Sequence, residues 1–284
     1  MIQVENLHYT YPGNDKETIK GMNFTVRAGE IFGFLGPSGA GKSTTQKILF
    51  GILKNYSGSV ILNKIEIKKV TSDFYETIGV AFEFPNFFNK LTALENLNFF
   101  RSLYQSKTLD PVELLSAVGL EQDKDVRFER YSKGMKARLN FCRALLNDAE
   151  ILFLDEPTSG LDPVNQKIVK DIIRQQKSQG KTIFLTTHNM HVADEVCDHV
   201  AFITDGQINL IDSPQKLKVE NGERKVKVEY YQNGNLKNQF FSMNNLADNE
   251  PFREILKNYR IETIHSQEAT LEEIFIKTTG KRLI

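Results

Sequence analysis

The chain has 284 residues, of which 40% are hydrophobic and 25% are charged, so it can bury a normal core in one large α/β domain or in a medium domain with a small appendage. Lysine plus arginine and aspartate plus glutamate are balanced at 36 each, so the charge points neither to nucleic acid nor to an anionic membrane surface as a partner. No apolar run approaches the roughly 18–20 residues that span a bilayer, and the N-terminus lacks the pattern of an export signal. Any work at a membrane would therefore require docking to another chain. Cys142 and Cys197 are far apart and predict reduced, buried thiols in a cytosolic protein.

Short apolar runs alternate with amphipathic stretches along the first two thirds of the chain. One predicted strand ends at Val26–Arg27. The others cover Ile31–Leu35, Ile78–Phe82, Ile151–Leu154, Ile183–Thr186 and Val200–Thr204. The predicted helices between them include Ser43–Leu53 and Val164–Gln179. This β-α-β alternation predicts an α/β fold with a parallel sheet covered by helices.

A glycine-rich turn joins the run Ile31–Leu35 to the helix that follows it and matches the pattern G-x-x-x-x-G-K-[ST]. It consists of Gly36, Pro37, Ser38, Gly39, Ala40, Gly41, Lys42, Ser43 and Thr44. Glycines let the backbone bend around phosphates and aim N–H groups at them, and the following helix adds the positive end of its dipole. We expect Lys42 to place a charge on the β- and γ-phosphates and the Ser43 hydroxyl to ligate Mg²⁺.

The pattern changes at about residues 84–146, where three helices occur with no clear strand between them. They are predicted at Leu94–Tyr104, Pro111–Val118 and Gly134–Leu146, and they indicate a helical insert in the α/β core. Four phenylalanines cluster at its start: Phe82, Phe84, Phe87 and Phe88. They either pack inside the insert or form an exposed apolar groove for a short partner helix, and we favour the groove.

The strand Ile151–Leu154 ends in two carboxylates, Asp155 and Glu156. Asp155 suits a Mg²⁺ role through water, and Glu156 suits a general base that polarises the attacking water. Residues 157–162, Pro-Thr-Ser-Gly-Leu-Asp, follow directly, which weakens the alternative of a solvated turn.

The composition shifts near Ser213-Pro214, and a polar break follows at Gly222–Lys225. Beyond it, two strands join across an Asn-Gly-Asn turn, and a helix, a strand and a last helix complete a small α+β unit. These elements are predicted at Lys225–Tyr231, Leu236–Phe241, Pro251–Asn258, Ile261–Ser266 and from Leu271 onward. Thr270 and Glu273 fit a capping box for the last helix. We therefore expect two domains, 1–220 and 221–284.

Five motifs in this order closely resemble those of the nucleotide-binding subunits of ABC transporters, over about residues 1–215. Two of the five are the phosphate loop and the acidic strand. Of the other three, residues 131–135 resemble the signature motif, residues 159–162 resemble the D-loop, and Thr187-His188 resembles the switch histidine. The resemblance implies a P-loop NTPase core with an N-terminal antiparallel β subdomain, and an ATPase that works as a head-to-tail dimer of two copies or close paralogues. ATP and Mg²⁺ are the implied cofactors.

In such a dimer, each ATP lies between the phosphate loop of one subunit and the signature segment of the other. Ser132 and Gly134 would face the γ-phosphate from a helix N-terminus, which is an anion site. Asp162 would belong to the nucleotide site through the D-loop, and His188 would contact the γ-phosphate. Tyr11 is the best candidate to stack on adenine, with Tyr9 as a close rival, because alternation would put both rings on one face.

The sequence departs from the family at two places. Glu83 stands where the family usually has glutamine, and it is either an altered Mg²⁺ ligand or a residue that points away and ends the strand. Lys133 and Met135 replace the more usual glycine and glutamine of the signature segment; Lys133 adds a cation near the partner's phosphate or is a solvated lysine.

The ending Thr-Leu-Glu-Glu-Ile-Phe, residues 270–275, resembles ATPase subunits of type-two ABC exporters in bacteria, which often move drugs, antimicrobial peptides, polysaccharides or lipids outward. The resemblance implies a multi-span permease as partner and a location at the cytoplasmic face of the cell membrane. The alternatives are a soluble ABC-type ATPase that is not coupled to transport and a non-catalytic ATP-dependent regulator.

Overall fold

The computed structural model describes residues 2–221 and 225–281, which divide into a first unit ending at Ser213 and a second unit of Pro214–Lys281. The division falls earlier than the predicted boundary at residue 220. The helix Pro214–Asn221 belongs to the second unit because Leu217 is buried and the backbone carbonyl of Asn221 accepts a hydrogen bond from Lys277, 3.3 Å away in the last helix. Most of the predicted break at Gly222–Lys225 lies outside the described residues, and Lys225 itself begins a strand.

The first unit contains the elements that were predicted for the α/β core and its insert. Its strands are β1 (Ile2–Tyr9), β2 (Ile19–Val26), β3 (Ile31–Leu35), β4 (Ser57–Leu62), β5 (Ile65–Glu66), β6 (Ile78–Ala81), β7 (Ile151–Asp155), β8 (Thr182–Thr187), β9 (His199–Thr204) and β10 (Gln207–Asp212). Its α-helices are α1 (Lys42–Leu49), α2 (Ser72–Glu76), α3 (Ala93–Arg101), α4 (Pro111–Ala117), α5 (Lys133–Leu145), α6 (Pro163–Ser178) and α7 (Met190–Val196).

The central sheet has the strand order β10-β9-β3-β8-β7-β6, and all neighbours are parallel except the β9–β10 hairpin. Every residue of β3, β7 and β8 is buried, which explains why these strands read as continuous apolar runs. The parallel sheet predicted from the sequence is confirmed. Because parallel strands end at one edge, the segments after β3, β6, β7 and β8 meet there.

A second sheet with the order β2-β1-β4-β5 is antiparallel and confirms the N-terminal β subdomain. Phe24 of this sheet packs against three rings of the central sheet, Phe32, Phe34 and Phe184, with centroids 4.9–6.1 Å away. The rings form the core between the two sheets, where aromatic burial contributes strongly to stability.

The helical insert is confirmed, with helix ends that differ from the predicted ones by at most three residues. Thr92 and Glu95 form a capping box at the start of α3, and the Asp110 side chain caps α4. Strand β6 lies tightly against α5, because a Cβ placed on Gly79 would be 1.9 Å from the carbonyl oxygen of Ala144. Only glycine at this position allows the strand and the helix to approach so closely.

The second unit comprises α8 (Pro214–Asn221), β11 (Lys225–Gln232), β12 (Asn235–Ser242), α9 (Glu250–Asn258), β13 (Arg260–Gln267) and α10 (Leu271–Thr279). Its antiparallel sheet has the order β12-β11-β13, and the predicted hairpin turn at Asn233-Gly234 is confirmed by positive φ angles of 53° and 79°. The predicted capping box of Thr270 and Glu273 begins α10. Across the described residues of both units, none of the helices has the length and apolar character needed to cross a bilayer.

Candidate functional site

The phosphate loop lies between β3 and α1. Gly36 fits where no side chain would, because a Cβ on it would be 2.2 Å from the carbonyl oxygen of Ile203. Gly41 has a φ of 103° and begins α1. The ammonium of Lys42 donates to the carbonyl oxygens of Gly36 and Pro37 at 2.6 and 3.0 Å, so the loop is wrapped around its lysine.

Three carboxylates face Lys42 from the ends of neighbouring strands. Burial lowers the pKa of Lys42, and the negative charges of Glu156, Asp155 and Glu83 oppose that shift. The predicted residues of the phosphate loop and of the acidic strand are therefore brought together in one place.

Asp155 ends β7 and is 9% exposed. Its Oδ1 accepts hydrogen bonds from the hydroxyls of Thr186, on β8, and of Ser43, 3.4 Å away at the start of α1. Burial raises the pKa of Asp155, whereas these two hydrogen bonds lower it.

Glu156 is held by the residues that end β8. Its Oε1 accepts from the backbone N–H of His188 at 2.9 Å and lies 2.7 Å from His188 Nδ1, and its Oε2 accepts from the Thr187 hydroxyl at 2.9 Å. Glu156 has a φ of 50°, a left-handed backbone that is unusual for a side chain of this size. The Glu156 side chain is 10% exposed and that of His188 is 58% exposed, so the histidine remains open toward solvent.

Glu83 follows β6 and is exposed. Partial burial, together with the charges of Asp155 and Glu156, raises the pKa of its carboxyl group, and Lys42 and His188 oppose this. Glu83 is thus close enough to sense the acidic strand electrostatically, as the ligand hypothesis requires.

The hard oxygen atoms of Ser43 and Asp155 suit Mg²⁺, which prefers carboxylate, hydroxyl and water ligands. Among the residues that the structure describes, no three His, Cys, Asp or Glu side chains form a ready-made metal cluster. The donors present fit a cation that keeps several waters and is shared with phosphate, which is how Mg²⁺ is bound in nucleotide sites.

The signature segment lies at the N-terminus of α5. The Ser132 hydroxyl accepts from the backbone N–H of Met135 at 3.2 Å and caps the helix, as expected for an anion site at a helix start. Gly134 packs on Gly160 and Leu161, since a Cβ on it would be 3.7 and 3.6 Å from their nearest atoms. Gly134 thus lies against the D-loop of the same chain, while Tyr131 of the segment donates to the carbonyl oxygen of Asp123 at 2.8 Å.

Two residues in this region have contacts that the sequence did not predict. The side chain of Lys133 covers Gly160, where a Cβ would be 2.9 Å from Lys133 Cε. Asp162 caps α6 by accepting from the backbone N–H groups of Val164 and Asn165 at 3.0 and 3.1 Å. Asp162 thus has a structural role at the start of α6, and its role at the nucleotide site stays a prediction.

Tyr9 and Tyr11 differ in exposure. Tyr9 is 4% exposed at the end of β1, whereas Tyr11 lies beyond the strand and is half-buried. The strand ends before alternation can place the two rings on one face, and they instead make an edge contact with centroids 4.9 Å apart. The Tyr11 hydroxyl lies 3.1 Å from that of Thr44 in the phosphate loop, so the less buried of the two rings is the one beside this loop, and its stacking on adenine stays a prediction.

Sequence reasoning missed the side chains that hold this site together. Thr186 and Thr187 bond the two carboxylates, and their signal in the sequence was only a pair of threonines at a strand end. Asn140 of α5 donates to the carbonyl oxygen of Phe82 at 2.6 Å, and Arg143 donates to Asn140 Oδ1 at 2.8 Å and to the carbonyl of Asn86 at 3.3 Å. These contacts fix the segment that carries Glu83, and no local pattern revealed them.

The predicted phenylalanine cluster is divided between two environments. Phe84 and Phe88 are 74% and 49% exposed, whereas Phe87 packs on Phe100 and Phe128 inside the insert. An apolar groove of about 440 Å³ lies beside the cluster. Its lining includes Ile52, Tyr75, Phe82, Phe100, Leu103 and Arg143.

The chain resembles ABC transporter ATPases along its whole length. A family model described as "ABC transporter" matches residues 19–159, and one described as "Fluoroquinolone efflux ABC transporter C-terminal domain" matches residues 224–268. A Fluoroquinolones export ATP-binding protein of Mycobacterium tuberculosis is 52% identical over 284 residues, which are 100% of this chain and 94% of the relative. Nod factor export ATP-binding protein I of Burkholderia lata is 32% identical over 95% of this chain and 94% of its own length.

Solved structures agree with the fold. A dimeric ATP-binding cassette in a post-hydrolysis state, bound to ADP and Pi, is 26% identical and superposes with a TM-score of 0.69 over 75% of this chain and 98% of its own. The protein cbiO1 of Clostridium perfringens, part of the ABC transporter complex cbiONQ, is 29% identical with a TM-score of 0.65 over 78% of this chain and 91% of its own. The chain belongs to the ABC transporter family, as one of its ATP-binding and ATP-hydrolysing subunits.

Proposed function

We propose that this chain energises the export of a drug-like compound of the fluoroquinolone kind through a separate membrane permease. The observation that carries the proposal is the 52% identity to a fluoroquinolone-export ATPase, which extends through both units of the chain. The match of residues 224–268 to the C-terminal domain of such transporters supports the same assignment for the second unit.

The geometry supports a division of roles at the site. Lys42 and the backbone N–H groups of residues 36–44 hold the phosphates, and Ser43 and Asp155 hold Mg²⁺, with Glu83 as an altered ligand. When bound, the cation neutralises charge on the phosphates. Glu156 accepts a proton from the attacking water, and His188, which is bonded to Glu156 and open to solvent, contacts the γ-phosphate. Tyr11 stacks on adenine.

A second copy or a close paralogue completes the site. The Ser132 helix end and Gly134 contact the phosphates held by the partner subunit, since a helix N-terminus attracts anions. Gly160 and Leu161, which follow the acidic strand, contact Lys133 and Gly134 of this signature segment in the same chain. ATP thereby joins two subunits, and hydrolysis separates them.

The permease docks in the apolar groove beside the helical insert. The groove is bordered by side chains that are partly open to solvent: Tyr75 is 42%, Leu103 62% and Ile52 55% exposed. Such a concave apolar surface suits a short amphipathic helix. In this proposal the subunit works at the cytoplasmic face of the membrane.

Transport by the complex of this chain with the membrane protein encoded beside it tests the proposal. We expect ATP-dependent efflux of a fluoroquinolone from inverted or loaded vesicles with the native chain, and none with Glu156→Gln, which still binds ATP and dimerises. If the complex exports another class of compound and fluoroquinolones neither leave the vesicles nor compete with that compound, the proposed substrate is refuted. Turnover of Glu156→Gln like that of the native chain would refute the general base.

A further inference from the structure

The Thr187 hydroxyl lies between the acidic strand and the segment that carries His188. Thr187 is fully buried and ends β8, next to the end of β7. Its Oγ1 is 2.9 Å from Oε2 of Glu156 and 3.0 Å from the backbone nitrogen of Asn189. Of these two partners, Glu156 is the one that belongs to the proposed catalytic residues.

The two hydrogen bonds of this hydroxyl fix the direction of its proton. The N–H of Asn189 can only donate, so the Thr187 oxygen accepts there and its single proton is directed at the Glu156 carboxylate. Asn189 is itself anchored, because its side chain caps α7 by accepting from the N–H groups of His191 and Val192. The hydroxyl is thus a fixed donor that no water competes for.

Glu156 needs such an anchor because its backbone is left-handed, at a φ of 50°, and is disfavoured for a long side chain. His188 holds Oε1, and Thr187 holds Oε2, so together they restrict rotation of the carboxylate. If His188 turns to the γ-phosphate of ATP, the Thr187 hydrogen bond is the side-chain contact that still aims Glu156. A base must keep hydrogen-bond reach of its proton, and small misplacements are costly.

We infer that Thr187 is a positioning residue for ATP hydrolysis: its hydroxyl holds the Glu156 carboxylate in the orientation from which it accepts the proton of the attacking water. The inference rests on the proposed role of Glu156 as the general base. Thr187 acts on the reaction through its hydrogen bond to Glu156.

Substitution of the hydroxyl by a methyl group tests the inference in the purified full-length chain. Loss of a hydrogen bond to a charged group is expected to lower the kcat of Thr187→Val by roughly 10- to 100-fold, with KM for ATP changed less than about threefold. Thr187→Ser keeps the hydroxyl and should keep kcat within about threefold of the native chain. Thr182→Val is the matched control: it makes the same change at the other end of β8, where Oγ1 only accepts from Gly29, and should leave kcat within about twofold.

A purely structural role would give a different result. ATP-driven dimerisation distinguishes a positioning role from a purely structural one. If Thr187 is a positioning residue, Thr187→Val in the Glu156→Gln background should dimerise with ATP as Glu156→Gln alone does. A native kcat for Thr187→Val, an equal loss in Thr187→Ser, or loss of ATP-driven dimerisation in the double variant would overturn the inference. Thr187→Ala provides a second hydroxyl-free variant if the valine does not fold. Glu156→Gln alone reports on the base, so its native-like turnover would refute the proposed base instead.

Discussion

Asn140 is expected to stabilise the first unit by fixing the segment that carries Glu83. It is 5% exposed, donates to the Phe82 carbonyl at 2.6 Å and accepts from the Arg143 guanidinium at 2.8 Å. Asn140→Ala leaves a buried carbonyl and a buried guanidinium without these partners. A neutral hydrogen bond contributes about 0.5–1.5 kcal/mol and one to a charged group about 1.5–3, so we expect the free energy of unfolding to fall by about 2–4.5 kcal/mol.

Urea denaturation followed by circular dichroism measures this loss, and hydrogen–deuterium exchange of α5 shows whether it arises there. Asn98→Ala is the control, because Asn98 is exposed on α3 and alanine favours a helix; it should change stability by less than about 0.5 kcal/mol. A loss below about 1 kcal/mol for Asn140→Ala, or one equal to the control, would contradict the described contacts.

Three further changes test the nucleotide site. Gly36→Ala should abolish binding of a fluorescent ATP analogue, because its methyl group would lie 2.2 Å from the Ile203 carbonyl oxygen. Gly39→Ala is the control: its methyl group would have nothing within 4 Å, so binding should weaken only by the cost of the left-handed backbone, about 1 kcal/mol. Equal effects of the two substitutions would contradict the steric reasoning. Tyr11→Ala should raise the Kd for ATP by roughly 5- to 100-fold through lost stacking while Tyr11→Phe does not, and an unchanged Kd for the alanine would rule out the base contact. Glu83→Gln should raise the Mg²⁺ concentration that gives half-maximal turnover, and identical Mg²⁺ titrations would exclude the carboxylate as a ligand.

The parts of the fold that follow from local patterns were predictable. Fully buried strands such as β3, β7 and β8 read as apolar runs, and the phosphate loop, the capping box at Thr270 and the hairpin turn at Asn233 each need particular residue types at fixed spacing. Element ends were less predictable. Helix α1 was expected to continue to Leu53, but it ends at Leu49 because Gly51 adopts a φ of 78°.

The candidate site was predictable as a set of functional groups but not as an arrangement. Lys42, Asp155 and Glu156 are recognisable by motif, whereas the partners of the two carboxylates lie 31 residues away and meet them only because β7 and β8 pair in register. Tyr9 and Tyr11 were nearly equivalent in sequence, and only the point at which β1 ends separates them. Long-range pairing is the information that periodicity does not contain.

Because Gly79 and Ala144 are in close contact, a rotation of α5 about this contact would move the N-terminal end of the helix the farthest. Ser132 lies 12 residues before this contact, which at 1.5 Å per residue is about 18 Å along the helix axis. A pivot of about 10° at the glycine would therefore sweep the serine through about 3 Å, roughly the length of one hydrogen bond. In the proposed dimer, a modest tilt where α5 meets β6 would therefore be enough to make or break the contact of Ser132 with the phosphates on the partner subunit.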